Sequence, residues 1–419
     1  MITEKIGSGK TPTGGNETYI ESGVLFLRSQ NIHFDGLRLD DVAFVSDETD
    51  REMRSTRVRV TDSLLNITGA SIGRVARATT GLARANVNQH VCIVRPSESF
   101  DARYLTWCLA GYGVQQQIRA LQVGGNRDGL NFEQVGNLDV PYPPIDEQRR
   151  IADFLDAETV RIDVLASVQT EARRLLLQRR DSGVFTAVTG GDVANGVPSK
   201  LVWSKSLPAT WESVKLGHFA RLGSGHTPSR SRPEWWKDCD IPWITTGEVS
   251  QVRDDRREVL TDTREHISEI GLANSAAELH PKGTVALCRT ASAGYSAVMG
   301  HDMATSQDFV TWTCGPRLDP FYLLWCLRAM RSDLLGRLAM GSTHMTIYVP
   351  DLQMLRIPLP PLTEQISIVE SVRAGNSAID EAVDVIDRQL GLLAERRQAL
   401  ITAAVTGQID VTTARGVSA

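Results

Sequence analysis

The residues that first invite a chemical reading are Gly7-Ser8-Gly9-Lys10-Thr11, which look like the phosphate loop of an NTPase. Such a loop needs a glycine five residues before Gly9, and that position is Glu4. Only six residues precede Gly7, too few for the strand that should feed the loop. A related hexapeptide, Gly223-Ser224-Gly225-His226-Thr227-Pro228, puts His226 where the lysine would be. Pro12 and Pro228 would fall in the first turn of the helix such loops open. The alternative is a Gly-Ser-Gly turn that offers backbone N–H groups and a threonine hydroxyl to a nucleic-acid phosphate.

Other chemistries lack their parts. Tyr142-Pro143-Pro144-Ile145 echoes the tetrapeptide of amino-methyltransferases without the amide or carboxylate that must precede the prolines. A metal-dependent nuclease needs an acidic cluster beside a lysine, and the chain has seven lysines with no such cluster. The histidines show no HxH or HxxxH pairing, and Cys92, Cys108, Cys239, Cys288, Cys314 and Cys326 form no CxxC pair. Scattered thiols of this kind read as reduced and mostly buried. The expectation is a chain without catalytic residues, metal or cofactor of its own.

What remains are polar and basic side chains in loop-like stretches. Arginine can grip guanine or phosphate in bidentate fashion, and Asn or Gln can read adenine. The candidates in the first part are Ser8, Lys10, Thr11, Arg28, Ser29, Gln30, Asn31, Arg57, Arg59, Ser71, Asn88, Gln89, Asn126 and Arg127. In the second they are Ser224, His226, Thr227, Arg230, Arg232, Trp235, Thr245, Thr246, Arg289, Ser292, Gln307, Thr343 and His344. Each alone reads as a solvated loop residue; their recurrence at matching places lifts them.

That recurrence belongs to an internal repeat. Pro141-Tyr-Pro-Pro-Ile-Asp-Glu-Gln148 returns as Pro358-Leu-Pro-Pro-Leu-Thr-Glu-Gln365, an offset of 217. Held without gaps for fifty positions, the offset gives 18 identities, where chance gives about three. It ends with Ala187-Val188-Thr189-Gly190 on Ala404-Val405-Thr406-Gly407. Upstream the match is fainter: Ala70-Ser71 on Ala291-Ser292, Asn88-Gln89 on Ser306-Gln307, and Trp107-Cys108-Leu109 on Trp325-Cys326-Leu327. Each half is therefore a variable block followed by a shared tail.

The tails read as long helices started by the prolines, with Asp146 or Thr363 available as caps. Ile151, Leu155, Ile162, Leu165 and Leu176 form an apolar stripe in the first. Ile368, Val372, Ile379, Ile386 and Leu393 form it in the second. Five heptads of this spacing predict two helices packed on one another as an antiparallel coiled coil. The blocks ahead mix strand-like runs (Val24–Leu27, Val58–Val60, Val91–Val94, Trp243–Thr245, Val285–Cys288, Phe309–Thr313) with short helices at Tyr104–Ala110 and Tyr322–Met330. The expected class is α+β, two pseudo-repeated globular α/β domains separated by two long helices.

Blocks opening near GxGxTP, each followed by PxPPxxEQ, an arginine-bearing helix and AVTG, resemble the DNA-specificity subunits of Type I restriction–modification systems over essentially the whole chain. The resemblance implies target-recognition domains at 1–140 and 197–357, with helical spacers at 141–196 and 358–419. It implies that each domain reads one half of a bipartite site in double-stranded DNA, while the helices set the gap and dock two methyltransferase subunits. S-adenosylmethionine, ATP and Mg would belong to those partners and to restriction/motor subunits. Leu207-Pro-Ala-Thr-Trp211 leads into the second domain, and the first lacks such a lead-in. Either its start is misassigned or truncated, or the C-terminal tail covers the gap.

The net charge of −5 does not by itself mark a nucleic-acid binder. Charge is uneven, with eight arginines against three acidic residues between Arg51 and Phe100. A related fused or Type II-like specificity chain, a self-sufficient enzyme and a protein–protein scaffold without DNA role are the alternatives. No apolar run suits a membrane span and no signal peptide is visible, so a cytoplasmic place is expected.

Overall fold

The computed structural model describes residues 2–79, 82, 84–122, 129–191, 196–339 and 345–412. They form two compact units, residues 1–171 with 387–419, and residues 172–386. Each holds one globular block and a segment of both long helices.

In the first unit a four-stranded antiparallel sheet runs in the order Thr3–Ser8, Val91–Pro96, Ser63–Asn66, Val75–Arg77. Strand side chains alternate between faces, and both faces of this sheet are buried. Leu65, Val75, Cys92 and Val94 lie under the helix Ala102–Ala110 with Leu105, Cys108 and Leu109. Leu64, Ala76 and Ile93 face the other way, onto Leu27, Ala85 and Val87 of a second, three-stranded sheet. Two-sided burial is why these strands read as continuous apolar runs.

The second unit repeats the plan. Its main sheet orders Ala220–Ser224, Phe309–Cys314, Val285–Cys288, Ser296–Met299 and Val259–Leu260. Val285, Leu287 and Trp312 face the helix Pro320–Ala329, while Ala286, Cys288 and Phe309 face Ile244 and Val249. Among the described residues it has pairings without a counterpart in the first unit: Val259–Leu260 adds a fifth strand to the sheet, Val197–Pro198 pairs with Ser206–Leu207, and Glu212–Lys215, just after the Trp211 lead-in, pairs with Arg356–Leu359. In the first unit Ile409 and Val411 of the C-terminal tail pack on the core, as do Ile2 and Val140. Burial pushes the Cys92 and Cys108 thiols up to about 12 and Cys288 up to about 11, leaving them protonated and inert.

Two long helices, Ile145–Thr189 and Leu362–Val405, are continuous over 45 and 44 residues. In the first unit Ile151 and Leu155 meet Ile401, Ala404 and Val405, and Asp163 meets Arg397 at 3.2 Å, so the segments run antiparallel. In the second unit Val184 and Val188 share a core with Val369 and Val372, and Arg180 faces Asp380 at 3.5 Å. Asp163 and Asp380, like Arg180 and Arg397, are equivalent at the repeat offset, so both units build the same contact.

Three expectations about the elements need correction. Leu165 is 52 % exposed and packs on nothing in the core. At 100° per residue it lies about 60–80° round from Ile162 and Leu155, off the buried face and beside Val168, while Val160, Val164 and Val168 lie roughly opposite them. The helices open at Ile145 and Leu362, so Asp146 and Thr363 lie inside the first turn. The carbonyls of Pro144 and Pro361 take the capping place, accepting from the main-chain N–H of Gln148 and Gln365. Val58–Val60 forms no strand, because only Arg57 bridges to Asn86 before the chain turns at Asp62.

The shared glutamines explain the repeat. Gln148 is fully buried; its Oε1 accepts from the Asp101 N–H (2.9 Å) and its Nε2 donates to the Pro143 carbonyl (2.8 Å). Gln365 does the same with Asp319 and Pro360. Asp101 and Asp319 each cap the short helix that follows. That helix carries a buried tyrosine whose hydroxyl bonds the AVTG valine of the other repeat: Tyr104 to the Val405 carbonyl (3.3 Å), Tyr322 to that of Val188 (3.2 Å). Each block is thus held by its own PxPPxxEQ and by the other copy's AVTG.

Candidate nucleic-acid interface

One edge of the first sheet gathers four loops. Ser8 ends the first strand opposite Cys92, and Asn66 ends its strand opposite Val91. The loops leaving these ends carry Lys10-Thr11, Thr68–Ser71 and Asn88–His90. A fourth, Arg28–Asn31, joins through Asn66, whose Nδ2 donates to the Ser29 carbonyl (2.8 Å) and to Ser71 Oγ (3.1 Å). The approach is close because residue 9 is glycine: a Cβ there would stand 1.6 Å from the Val87 carbonyl oxygen. The strand Thr3–Ser8 is present despite the short lead, but it runs into turns and not into a phosphate-binding helix.

A chain of hydrogen bonds links these loops. Thr11 Oγ1 donates to Gln89 Oε1 (2.5 Å), and Gln89 Nε2 donates to His90 Nε2 (3.0 Å). That leaves Nδ1–H of the imidazole to meet Thr68 Oγ1 at 2.5 Å. Gln89 is exposed and its amide is fixed at both ends. Asp41 accepts from Arg28 (3.2 Å) and Gln30 (2.6 Å).

The second unit assembles the same edge. Thr227 Oγ1 donates to Gln307 Oε1 at 2.5 Å, and a Cβ on Gly225 would lie 2.1 Å from the Thr305 carbonyl oxygen. The Ser306 N–H donates to the Ile244 carbonyl (2.9 Å) just before Thr245-Thr246, as Asn88 does to Leu27 (3.0 Å). Arg289 Nε donates to the Gln307 carbonyl (2.9 Å). Where the first unit has His90, the second has Asp308, which accepts from the hydroxyls of Thr290 and Ser306. Thr68 and Thr290 make equivalent bridges, so Gly69 (φ 73°) matches Ala291 (φ 56°). The match lies one residue from the sequence alignment of Ala70 with Ala291. Ala291 therefore holds a left-handed backbone that costs about 1–2 kcal/mol without glycine.

Thus Ser8, Lys10, Thr11, Arg28, Ser29, Gln30, Ser71, Asn88 and Gln89 come together, as do Ser224, His226, Thr227, Thr245, Thr246, Arg289, Ser292 and Gln307. Asn31 is a correction: it is 2 % exposed, with Oδ1 accepting from the Arg28 N–H and Nδ2 donating to the Arg38 and Asp41 carbonyls. It shapes the loop from within. Arg57 lies elsewhere, bidentate on buried Asp50 (2.9 and 2.5 Å), and Arg59 pairs with Glu4 (3.0 Å). Against the desolvation that raises it, bonds from Arg57 and Arg84 hold the Asp50 carboxyl below its ordinary value. Arg230 pairs with Glu265 and lies 3.8 Å over the Trp236 ring, while Arg232 faces Glu234 and Trp235 gives its carbonyl to Ser268. Asn126, Arg127, Thr343 and His344 lie outside the described residues.

Sequence reasoning missed His90, Asp308, Thr68, Thr290 and Asp41. The first two follow directly on the candidate glutamines, and that adjacency is the only signal.

A model of the family described as the Type I restriction modification DNA specificity domain matches residues 55–171 and 208–379, more than half of the chain. The chain belongs to this family. This specificity chain is also 21 % identical to the MjaX specificity subunit of a type I restriction enzyme of Methanocaldococcus jannaschii, over 98 % of its length and 92 % of the relative's. It is 23 % identical to the EcoR124I/EcoR124II specificity subunit of Escherichia coli, over 54 % of the chain and 56 % of that protein. In fold it resembles a chain from a structural study of type I R-M complex assembly and conformational transition (TM-score 0.71, 17 % identity, covering 97 % and 96 % of the two chains). It also resembles the HsdS subunit of Thermoanaerobacter tengcongensis (TM-score 0.51, 18 % identity, covering 97 % and 95 %). No helix among the described residues is long and apolar enough to cross a membrane. The specificity chain determines DNA sequence choice in a type I restriction–modification system.

Proposed function

We propose that each unit of this specificity chain reads one half of a bipartite site in duplex DNA, and that the chain itself carries out no catalysis. The observation that carries this is the duplicated loop cluster: two sheets of the same plan end in the same set of polar loops, with different side chains in them. One reader built twice and varied in its contacts is what two unlike half-sites require. The long helices act as the spacer and as the platform for two methyltransferase subunits. Val160, Val164, Leu165 and Val168 support the second role, since they place an exposed apolar stripe on the face turned away from the core; such stripes on a helix mark a covered surface. S-adenosylmethionine sits on those partners, which flip the target base to methylate it, and ATP with Mg belongs to a motor–restriction subunit.

The test is to footprint the purified complex of this chain with two methyltransferase subunits on a random-sequence DNA library. Protection of two short conserved blocks separated by a fixed, degenerate gap is expected. Protection of a single continuous block, or none, would sink the proposal.

A further inference from the structure

Comparing the two loop clusters position by position separates what recurs from what varies. What recurs is a hydroxyl–carboxamide pair, Thr11 with Gln89 and Thr227 with Gln307, each at 2.5 Å. Each pair is brought together by a glycine, Gly9 or Gly225, that lets the strand end ride on the neighbouring backbone. Around the pair Ser8 and Ser224, and Thr68 and Thr290, also recur, while the other loop residues differ: Lys10 against His226, Asn88 against Ser306, His90 against Asp308, Arg28-Ser29-Gln30 against Thr245-Thr246-Gly247.

Readers of two unlike half-sites must differ in the groups that touch base edges. They can share groups that touch what never varies in a duplex, the sugar–phosphate backbone. We infer that Gln89 and Gln307 are phosphate-gripping residues, each donating a side-chain amide N–H to a DNA phosphate, and that sequence is read by the neighbours that differ. This rests on the bipartite reading proposed above.

The chemistry agrees with the comparison. A carboxamide that reads adenine uses its oxygen and its nitrogen together. Here the threonine hydroxyl already engages the oxygen, so an amide N–H is left to meet an acceptor (in Gln89 the second one, the first being given to His90), and a phosphate oxygen only accepts. Each cluster includes a basic residue, from a different loop in each unit. Lys10 is exposed one residue from Thr11, and Arg289 is fixed on the Gln307 main-chain oxygen at 2.9 Å. The residue after each glutamine is where the clusters part chemically. His90 takes an N–H of Gln89, whereas Asp308 turns its carboxylate to Thr290 and Ser306.

The test uses the full chain in complex with its methyltransferase subunits. The probes are the duplex that this complex selects and a panel with each base pair of one half-site replaced in turn. Gln307→Ala, and separately Gln89→Ala, should weaken binding about 3–10-fold, the worth of one intermolecular hydrogen bond. The loss should be equal for the selected duplex and every replaced one, leaving the discrimination ratios unchanged. Thr227→Val, which frees the amide without removing it, should weaken binding less and equally uniformly. A scan of neutral methylphosphonates should find one phosphate in that half-site at which the unmodified chain loses affinity and the Gln307→Ala chain does not. If Gln307→Ala instead changes the ratio at one base pair, or leaves affinity intact at every salt concentration, the inference is overturned. An unmodified complex that selects no bipartite duplex overturns the proposed function instead, before any variant is made.

Discussion

Single side chains show how little of this protein's polarity is free to face DNA. Arg57, Arg59, Arg230 and Asn31 looked as accessible in sequence as Gln89, yet each is committed to an ion pair or a loop interior. The buried glutamines are the other case. Gln365→Ala would leave the Asp319 N–H and the Pro360 carbonyl unpaired inside the core, at about 1–3 kcal/mol for each buried group. Urea unfolding of the second unit should show a loss of at least that size; a change below about 0.5 kcal/mol would contradict the bonding described. Asp50 makes a pH-dependent contribution. Its carboxyl is held below the ordinary value by Arg57 and Arg84, so its stabilisation is complete above the unfolded value near 3.9 and is lost as pH falls through the folded one. Asp50→Asn should therefore lower stability at pH 7 and flatten its decline below about pH 4. Parallel urea-midpoint curves for the two proteins would refute this.

The long helices divide their apolar residues between two faces. Ile162 is 5 % exposed and Leu165 is 52 % exposed, although a heptad reading treats them alike. Ile162→Ala should cost about 2–4 kcal/mol by opening a cavity. Leu165→Asp should change stability by less than about 0.5 kcal/mol while weakening capture of the methyltransferase subunits in size-exclusion chromatography. Equal effects of the two substitutions on folding would show that the helix is turned differently. The contact that each unit makes between an Asp and an Arg, Asp163 with Arg397 and Arg180 with Asp380, follows from the repeat offset. One tail sequence, written twice and laid antiparallel to itself, meets itself at matching positions.

For the whole molecule, two blocks whose main sheets share four strands in the same order carry different loop residues, so the readers should be separable. Replacing residues 197–357 by the corresponding domain of another specificity subunit should change one half of the selected DNA and leave the other half and the gap as they were. A change in both halves would mean that the readers are not independent. Inserting four residues near the middle of each long helix adds about 6 Å of helix and roughly 40° of rotation. The expected result, read by the same selection, is a longer gap between unchanged half-sites.

The repeat, the α+β class, the antiparallel helix pair and five of the central strands were legible in the sequence because they follow from periodicity and from self-similarity, which one chain displays without a partner. Pairings such as Thr11 with Gln89 were not, since they join residues 78 apart in sequence and depend on strand register and on Gly9 passing the backbone of Val87. Nor was the swap by which Tyr104 bonds Val405 and Tyr322 bonds Val188. Which polar residue is braced inside and which is offered outward is a matter of three-dimensional neighbours, and tertiary structure alone decided it.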